Sequence, residues 1–433
     1  MKITFIHPNM YSRRSADAMQ PLVFAILAGL TPPDVETVLF DDRVEEIDYD
    51  DPTDLVALTV QTYTARRAYK IAAAYREKGI PVVMGGFHPT LLPDEALQHA
   101  DAVVTGDAES TWPQLVKDAK QKNLKRIYKS DPNYPLNGIK PDTRIFNGKK
   151  YASMVPVQFG RGCRFSCDFC SVHSFYGNTI RHRPVEEVIA EIESLGAKFI
   201  FFVDDNLFRN YEQVIRLFHQ LIPLKIKWAC QISVDAAYNT GLLELLQKSG
   251  CAAVFTGFES LHPENLEQMR KGGNLKHQNY ADAVKRFKEY GIMVCGAFVF
   301  GYDRDTPDTI EQTLAFALES KLCIAHFNPL FPTPKTPLYD RLEGEERLVY
   351  KRWWLSPDYR YGQGLFHPMG MTAEELSDKC FEAKCKFNTY RAIFKRAMDL
   401  KANCRSLFHL GAFLAVNLIS RKEIYVRQGR ALG

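Results

Sequence analysis

The sequence predicts an α/β protein in which two successive units of alternating strands and helices are followed by a helical region. Three observations support this prediction. Short apolar runs alternate with helical patterns in residues 1–130, the alternation resumes after residue 153, and residues 343–433 show only helical patterns. Strands that alternate with helices imply parallel sheets covered by helices. The length of 433 residues also suits more than one domain.

The first unit, residues 1–130, contains five apolar runs that we predict to be strands. They are Ile3–His7, Val35–Phe40, Leu55–Thr59, Val82–Met84 and Ala102–Val104. Five parallel strands are typical of a flavodoxin-like (Rossmann-like) domain, in which ligands bind beyond the carboxyl ends of the strands. Two of these ends carry Gly85-Gly86-Phe87-His88 and Thr105-Gly106-Asp107. Glycine there would let a ligand approach the backbone closely.

Residues 131–153 contain three prolines and two glycines and are predicted to be a linker. The second unit, residues 154–342, contains six further apolar runs, most of them followed by a helical pattern. They are Val155–Phe159, Phe199–Val203, Trp228–Ile232, Ala252–Phe255, Val294–Phe300 and Ala325–Leu330. Six such units predict a partial (β/α)6 barrel, whose functional residues would lie at the carboxyl ends of the strands.

Composition excludes several classes of protein. A net charge of +4 gives no reason to expect nucleic acid as a partner. The amino terminus lacks a signal-peptide pattern, and ten cysteines without such a signal favour a reducing, cytoplasmic location. The longest apolar run, Leu407–Ile419, is too short to cross a bilayer, so we expect no transmembrane segment but a buried or surface-lying helix.

Three cysteines follow the first strand of the predicted barrel in the segment Arg161-Gly162-Cys163-Arg164-Phe165-Ser166-Cys167-Asp168-Phe169-Cys170. Three thiolates on one loop can bind three irons of a cubane and leave the fourth iron open. The alternative is a zinc site completed by His173 or His182. The other seven cysteines lack ligand spacing, and Cys230, Cys251 and Cys295, which lie in or beside apolar strands, are predicted to belong to the core.

The spacing of Cys163, Cys167 and Cys170, with Phe169 before the last cysteine, resembles the signature of the radical SAM superfamily. The resemblance implies a 4Fe-4S cluster whose open iron chelates S-adenosylmethionine (SAM). It also implies an external one-electron donor, such as flavodoxin or ferredoxin, and cleavage of SAM to a 5′-deoxyadenosyl radical.

Five further positions are implied to bind SAM. Phe169 would lie near adenine, unless it is a core residue. Asp204 ends the second strand of the barrel, and Glu259 lies in a Gly-x-Glu-Ser segment resembling one that contacts SAM in this superfamily, although Glu259 and Ser260 could instead cap a helix. Gln231 and Ser233 are candidates for the ribose hydroxyls. No catalytic residue is predicted.

The order of the two units resembles the cobalamin-binding subclass of this superfamily, on residues Met84–Thr90 and Ala100–Glu109. The D-x-H-x-x-G pattern that supplies a lower cobalt ligand is absent, so that ligand is unassigned. The alternatives are a domain without the cofactor or one that binds another nucleotide, and His88 could equally be a satisfied loop residue. The predicted cobalamin contacts are Thr62, Thr64, Gly85, Gly86, Phe87, His88, Gly106, Asp107 and Glu109.

The resemblance leaves three hypotheses about function. The first is cobalamin-dependent methylation of an unactivated carbon in a small-molecule or lipid/tetrapyrrole substrate. The second is a radical SAM oxidative cyclisation or rearrangement without net methyl transfer, and the third is a non-catalytic cobalamin or metal sensor. The aromatic residues Trp353, Trp354, Tyr359, Tyr361 and Phe366 would suit a hydrophobic substrate, but packing over the barrel is the expected role for them.

Overall fold

The computed structural model describes residues 1–11, 13–208 and 210–433. Two parallel six-stranded sheets, each flanked by helices, are followed by a mostly helical carboxyl-terminal region. The predicted α/β class is therefore confirmed. Within the described residues, no helix is both long enough and apolar enough to cross a membrane.

The first sheet has the order β2-β1-β3-β4-β5-β6 and is parallel throughout. This is the flavodoxin-like order, with its switch point between β1 and β3. The sixth strand was not predicted, because only Tyr128 of its three residues is buried. The strands are β1 (Lys2–His7), β2 (Glu36–Asp41), β3 (Leu55–Thr59), β4 (Val82–Gly85), β5 (Ala102–Thr105) and β6 (Ile127–Lys129).

Helices cover both faces of this first sheet. On one face Phe5 packs against Phe24 and Trp112, at ring-centroid distances of 5.2 Å and 5.6 Å. On the other face Ile71 and Tyr75 are completely buried. Each such side chain contributes about 1.5–3 kcal/mol when it leaves water. The helices are α1 (Leu22–Leu30), α2 (Ala65–Glu77), α3 (Phe87–Leu91), α4 (Pro93–Ala96) and α5 (Trp112–Lys120).

The second sheet has the order β14-β13-β12-β11-β10-β7 and is also parallel. Six strands with β7 and β14 at the two edges form an open barrel, as predicted. A two-residue antiparallel pair, β8 with β9, lies beside it. The strands are β7 (Val155–Val157), β8 (Gly160–Arg161), β9 (Arg181–His182), β10 (Phe199–Phe202), β11 (Lys227–Gln231), β12 (Cys251–Glu259), β13 (Met293–Phe300) and β14 (Ile324–Pro329).

The two faces of the second sheet are covered by different parts of the chain. The outward side chains, such as Ile200 and Val254, pack on the helices that connect the strands. These helices are α6 (Ser171–Tyr176), α7 (Val185–Leu195), α8 (Tyr211–Leu221), α9 (Thr240–Ser249), α10 (Pro263–Gln268), α11 (Gly272–Lys276), α12 (Tyr280–Glu289) and α13 (Pro307–Glu319). The inward side chains near the strand starts, such as Ala253 and Met293, pack on Ile393 and Phe413 from the carboxyl-terminal region.

The carboxyl-terminal region contacts both domains. Its last helix closes the concave face of the barrel, where Asn417 donates to the carbonyl of Cys323 at 3.1 Å and the buried Arg396 donates to the same carbonyl at 2.8 Å. The helices are α14 (Pro337–Gly344), α15 (Ala373–Phe387), α16 (Tyr390–Ala397) and α17 (Leu407–Arg427).

The tail aromatics correct one prediction. We expected them to pack over the barrel, but Trp353, Trp354 and Tyr359 belong to the core of the first domain, around α2. Trp354 donates to the carboxylate of Glu95 at 3.0 Å. Only Phe366 of this group lies in the core of the barrel. The sequence could not show this, because the packing joins residues nearly 300 positions apart.

Candidate active site

The loop that carries the three cysteines is held at its start by the end of β10. The buried carboxylate of Asp204 accepts hydrogen bonds from the amides of Phe159 at 3.0 Å and Gly160 at 2.6 Å. Asp205 accepts from the amide of Gly162 at 3.1 Å. Gly162 has φ +85°, and a Cβ there would lie 2.1 Å from a carbonyl oxygen, so only glycine fits this turn. The loop therefore has a defined path into the cavity.

Cys163, Cys167 and Cys170 line one cavity of about 410 Å³ at the carboxyl ends of the barrel strands. All three are free thiols. Burial raises the pKa of Cys167 to about 12 and also raises that of Cys170. Such thiols stay protonated near neutral pH unless a bound metal removes their protons. Three thiols facing one cavity, of which Cys167 is buried and the other two are half-buried, are thus a donor set that fits an iron–sulfur cluster.

The zinc alternative lacks geometric support. Within residues 1–11, 13–208 and 210–433, no three His, Cys, Asp or Glu side chains converge as a single ion requires. A cubane differs, because each thiolate binds its own iron. His182 stacks on Phe159 instead, with ring centroids 5.6 Å apart. Of the other cysteines, Cys230, Cys251, Cys295, Cys323 and Cys380 are buried, whereas Cys385 and Cys404 are half-buried.

Most of the predicted SAM contacts lie around the cysteine cavity. Phe169, Gln231, Ser233 and Glu259 line it. Asp204 does not line it, because its carboxylate accepts hydrogen bonds from the cysteine loop. The following residues Asp205 and Asn206 line the cavity instead. The sequence could not show which of Asp204, Asp205 and Asn206 lines the cavity, because each is a polar residue just beyond the same strand.

Glu259 is paired with a lysine that sequence reasoning missed. Lys271 donates to its carboxylate at 2.8 Å, and both side chains are mostly buried. Burial lowers the pKa of Lys271, but the Glu259 carboxylate and the thiols raise it further, so the ammonium remains charged. A fixed cation therefore faces the cysteines. Glu259 itself has φ +64° and does not cap a helix, which leaves the capping alternative unsupported for this residue.

A second cavity lies between the two domains, beyond the carboxyl ends of β4 and β5. Gly85, Gly86, Phe87, Gly106, Asp107 and Glu109 line it from the first domain, and Gln158, Arg161, Tyr176 and Val203 line it from the second. Gly86 has φ +100°, and a Cβ would lie 3.0 Å from the Val60 carbonyl oxygen. Glycine is therefore needed for this turn, and its bare backbone faces the cavity.

Two of the predicted acidic contacts join the domains. Asp107 lies 3.0 Å from the guanidinium of Arg161 and also pairs with Arg181. Glu109 pairs with Arg161 on its other side. The buried Arg161, two residues before Cys163, thus links the first domain to the cysteine loop. Sequence reasoning missed this role of Arg161.

Three predicted contacts lie away from this cavity. Thr64 exchanges hydrogen bonds with the backbone of Gln61 at 3.1 Å, and Thr62 is buried beside it. His88 is completely buried, with Nε2 2.9 Å from the Tyr69 hydroxyl and 3.0 Å from Glu95. His7, which was not predicted, does line the cavity. Burial, assisted by Arg43, lowers the pKa of His7 to about 4, so its imidazole is neutral.

The two cavities adjoin. Val203 lines the interdomain cavity and Asp205 lines the cysteine cavity, so one residue separates their walls along the chain. Arg161 and Cys163 show the same relationship. A ligand in one cavity would therefore be a neighbour of a ligand in the other.

Comparison with known proteins gives the family. Residues 25–116 match the B12 binding domain and residues 157–317 match the radical SAM superfamily. Over 402 residues the chain is 30% identical to bacteriochlorophyllide d C-12(1)-methyltransferase of Chlorobaculum tepidum, covering 90% of this chain and 87% of that protein.

The chain belongs to the B12-binding radical SAM enzymes.

This B12-binding radical SAM enzyme has cobalamin, SAM and a 4Fe-4S cluster as its cofactors. It is also 26% identical to the anaerobic magnesium-protoporphyrin IX monomethyl ester cyclase of Cereibacter sphaeroides over 446 residues, or 91% of this chain and 71% of the cyclase. Its relatives therefore include both a methyltransferase and a cyclase.

Solved structures share the fold of the enzyme. The methyltransferase TsrM from Kitasatospora setae, with cobalamin and a 4Fe-4S cluster bound, aligns with a TM-score of 0.64 at 15% identity, over 79% of this chain and 75% of TsrM. OxsB, with aqua-cobalamin and SAM bound, aligns with a TM-score of 0.67 at 14% identity, over 98% of this chain and 72% of OxsB. The order of the two domains is thus that of known enzymes.

Proposed function

We propose that this enzyme cleaves SAM reductively and methylates an unactivated carbon of an apolar small molecule, of the lipid or tetrapyrrole class. The observation that carries the proposal is the likeness to a bacteriochlorophyllide methyltransferase over 87% of its length. The adjoining cavities support it, because methylation of this kind needs two cofactors beside one substrate.

We assign the cluster to Cys163, Cys167 and Cys170, which share the cavity wall with Lys271. When bound, the cluster supplies the electron that cleaves SAM, and cobalamin supplies a carrier for the methyl group. The ammonium of Lys271 offsets the negative charge that three thiolates bring into a buried site. An external one-electron donor, such as flavodoxin or ferredoxin, would reduce the enzyme.

The remaining walls of the cysteine cavity suit the other groups of SAM. The carboxylate of Glu259, oriented by Lys271, can accept hydrogen bonds from an ammonium group. The hydroxyl of Ser233 and the amide of Gln231 can bond ribose hydroxyls. Phe169 supplies an apolar face for adenine. Asp204 contributes indirectly, by positioning the cysteine loop.

For cobalamin we assign Gly85, Gly86, Phe87 and Gly106, which bring backbone and one aromatic ring to the interdomain cavity. Asp107 and Glu109 reach the same cavity but are paired with arginines, so they position the domains around the cofactor. Thr62, Thr64 and His88 are not assigned, because they do not line this cavity.

The test is to incubate reduced, cluster-reconstituted enzyme with cobalamin, methyl-labelled SAM and bacteriochlorophyllide d as the probe substrate. We expect label in the product, with one S-adenosylhomocysteine and one 5′-deoxyadenosine formed for each methyl group transferred. Conversion of the probe without label would exclude methyl transfer.

A second candidate is oxidative cyclisation, which the likeness to the magnesium-protoporphyrin ester cyclase favours. It predicts 5′-deoxyadenosine without S-adenosylhomocysteine when magnesium-protoporphyrin IX monomethyl ester is the probe. Mass spectrometry of the two SAM products with each probe separates the two functions.

A further inference from the structure

Helix α16, helix α17 and the segment between them leave several large apolar side chains in water. Leu407 is 90% exposed, Leu400 77% and Phe394 67%. We name these residues the apolar C-terminal face, and its members are Tyr390, Phe394, Met398, Leu400, Leu407, Phe408, Leu414, Leu418, Ile419 and Tyr425. Single exposed apolar residues are ordinary, but a contiguous group marks an interaction surface.

The spacing of these residues shows that the face is organised. On α17 the exposed apolar positions Leu407, Leu414, Leu418 and Tyr425 recur at helical intervals of seven, four and seven residues. A helix rises about 1.5 Å per residue, so this row is about 27 Å long. On α16 and just beyond it, Tyr390, Phe394 and Met398 recur every four residues. Both helices thus present an apolar row to solvent.

The side of α17 that faces the protein carries polar as well as apolar residues. Its buried residues are His409, Phe413, Asn417 and Glu423. Asn417 bonds Cys323 and Arg396, and Glu423 pairs with Arg427 at 3.0 Å. The side facing the protein therefore buries Phe413 among hydrogen-bonded polar groups, whereas the side facing solvent is leucine-rich. A helix of this kind buries its outer face only when something outside this chain covers it.

The charge around the face indicates what covers it. Five exposed basic residues accompany it: Arg391, Lys395, Lys401, Arg405 and Lys422. The single acidic residue between 389 and 422 is Asp399, which is buried and paired with Lys288 at 2.5 Å. Apolar side chains flanked by lysine and arginine are the pattern of helices that lie in the interface of an anionic membrane.

We propose that the apolar C-terminal face docks this enzyme onto the surface of a bilayer that contains anionic lipids. Leucine and aromatic side chains enter the headgroup boundary, and the basic side chains contact lipid phosphates. A second copy of the chain fits the face less well, because a two-fold contact would bring the same basic residues together. The proposal does not depend on which reaction the enzyme catalyses.

Vesicle flotation of the full-length protein tests the proposal. We expect binding to vesicles of phosphatidylcholine mixed with phosphatidylglycerol and little binding to phosphatidylcholine alone. Binding should weaken at about 1 M salt, where screening acts within about 3 Å. Lys395→Ala/Lys401→Ala should weaken binding about 25-fold, since each basic residue near an anionic surface contributes about 5-fold.

Leu414→Glu/Leu418→Glu should abolish binding, whereas Met369→Glu is the matched control, because Met369 is 69% exposed but lies outside the face. Unchanged circular dichroism melting of each variant shows that it is folded. Absence of vesicle binding by the parent protein, or equal binding by all variants, would overturn the proposal. The proposal would also be overturned if the parent protein dimerised without binding vesicles and Leu414→Glu/Leu418→Glu abolished the dimer. A second copy of the chain would then cover the face.

Discussion

The guanidinium of Arg161, two residues before the first cysteine of the cysteine loop, lies 3.0 Å from the carboxylate of Asp107 in the cobalamin-binding domain. Arg161 also pairs with Glu109, and all three side chains are largely buried. The ion pairs of Arg161 therefore connect the cysteine loop to the cobalamin-binding domain. The position of the cysteine cavity relative to the interdomain cavity therefore depends on these few contacts.

Replacing Arg161 should destabilise the interface between the domains. Arg161→Met leaves the buried carboxylate of Glu109 without its ionic partner, while Asp107 keeps its pair with Arg181. Such a loss costs about 3–5 kcal/mol. Urea unfolding of the apoprotein would measure the loss. The control is Arg144→Met, whose ion pair with Asp142 involves an arginine side chain that is 85% exposed, so stability should stay close to that of the parent protein. Equal losses of stability in the two variants would contradict a stabilising role for the buried ion pairs of Arg161.

Each cluster cysteine should be essential. Cys163→Ala, Cys167→Ala or Cys170→Ala should remove most of the iron and all formation of 5′-deoxyadenosine, because a cubane needs three protein thiolates and SAM on the fourth iron. Iron analysis and mass spectrometry of anaerobic protein would measure both. Cys404→Ala is the control, since Cys404 does not line the cavity. Full iron content in any of the three variants would refute the assignment.

Glu259→Gln should weaken SAM binding while leaving iron content unchanged. The change removes a charged acceptor that Lys271 holds at 2.8 Å. A hydrogen bond to a charged group contributes about 2 kcal/mol, so affinity should fall about 30-fold. Anaerobic calorimetry with SAM measures this, with Glu264→Gln on the exposed side of α10 as the control. Unaltered affinity would place Glu259 outside the SAM site.

His7 should make the protein less stable in acid. Its pKa of about 4 in the folded state lies below the ordinary value of 6.5, because burial and then Arg43 disfavour the imidazolium. Between those two values the unfolded chain binds a proton that the folded chain does not, so stability falls as the pH falls from 6.5 to 4.

Between neutral pH and pH of about 4.5, we expect the free energy of unfolding to fall by roughly 2 kcal/mol less in His7→Gln than in the parent protein. Urea unfolding at the two pH values measures the difference. The exposed His219, replaced in the same way, should leave the pH dependence as it is. A parent-like pH profile for His7→Gln would show that another group governs the acid response.

Trp354→Phe should destabilise the cobalamin-binding domain although Trp354 lies far from it in sequence. The change removes the hydrogen bond to Glu95 at 3.0 Å, inside a cluster that also contains Tyr69 and His88. Loss of a partner for a buried acceptor costs about 1–3 kcal/mol. Calorimetric melting measures it, and Tyr390→Phe at an exposed position should leave the melting temperature unchanged.

The sequence was most informative where chemistry and chain order coincide. The three cysteines are close in sequence and share one loop, so their convergence followed from spacing. Eleven of the twelve strands of the two sheets coincide with predicted apolar runs, so the α/β class followed from periodicity. The short edge strand β6 was missed, because two of its three residues are exposed.

Sequence reasoning was weakest where a polar residue has several possible neighbours. Asp204 and Asp205 are adjacent and chemically identical, yet the first bonds amides behind the wall and the second faces the cavity. His88 follows the glycine turn that lines the interdomain cavity but points to Glu95. Lys271 and Arg161 act through partners 12 and more than 50 residues away, which no local pattern reveals.

The return of the tail to the first domain has a consequence for synthesis. Residues 353–365 and Leu432 complete the core around α2, and the amide of Gly433 donates to the Met10 carbonyl at 2.9 Å. While the ribosome is still making the barrel, the tail residues are not yet present. Tyr69 and its neighbours around α2 therefore stay exposed to solvent. The cobalamin-binding domain is made before the barrel but can complete its core only after the barrel and the tail have been made, so it needs protection from aggregation in the meantime.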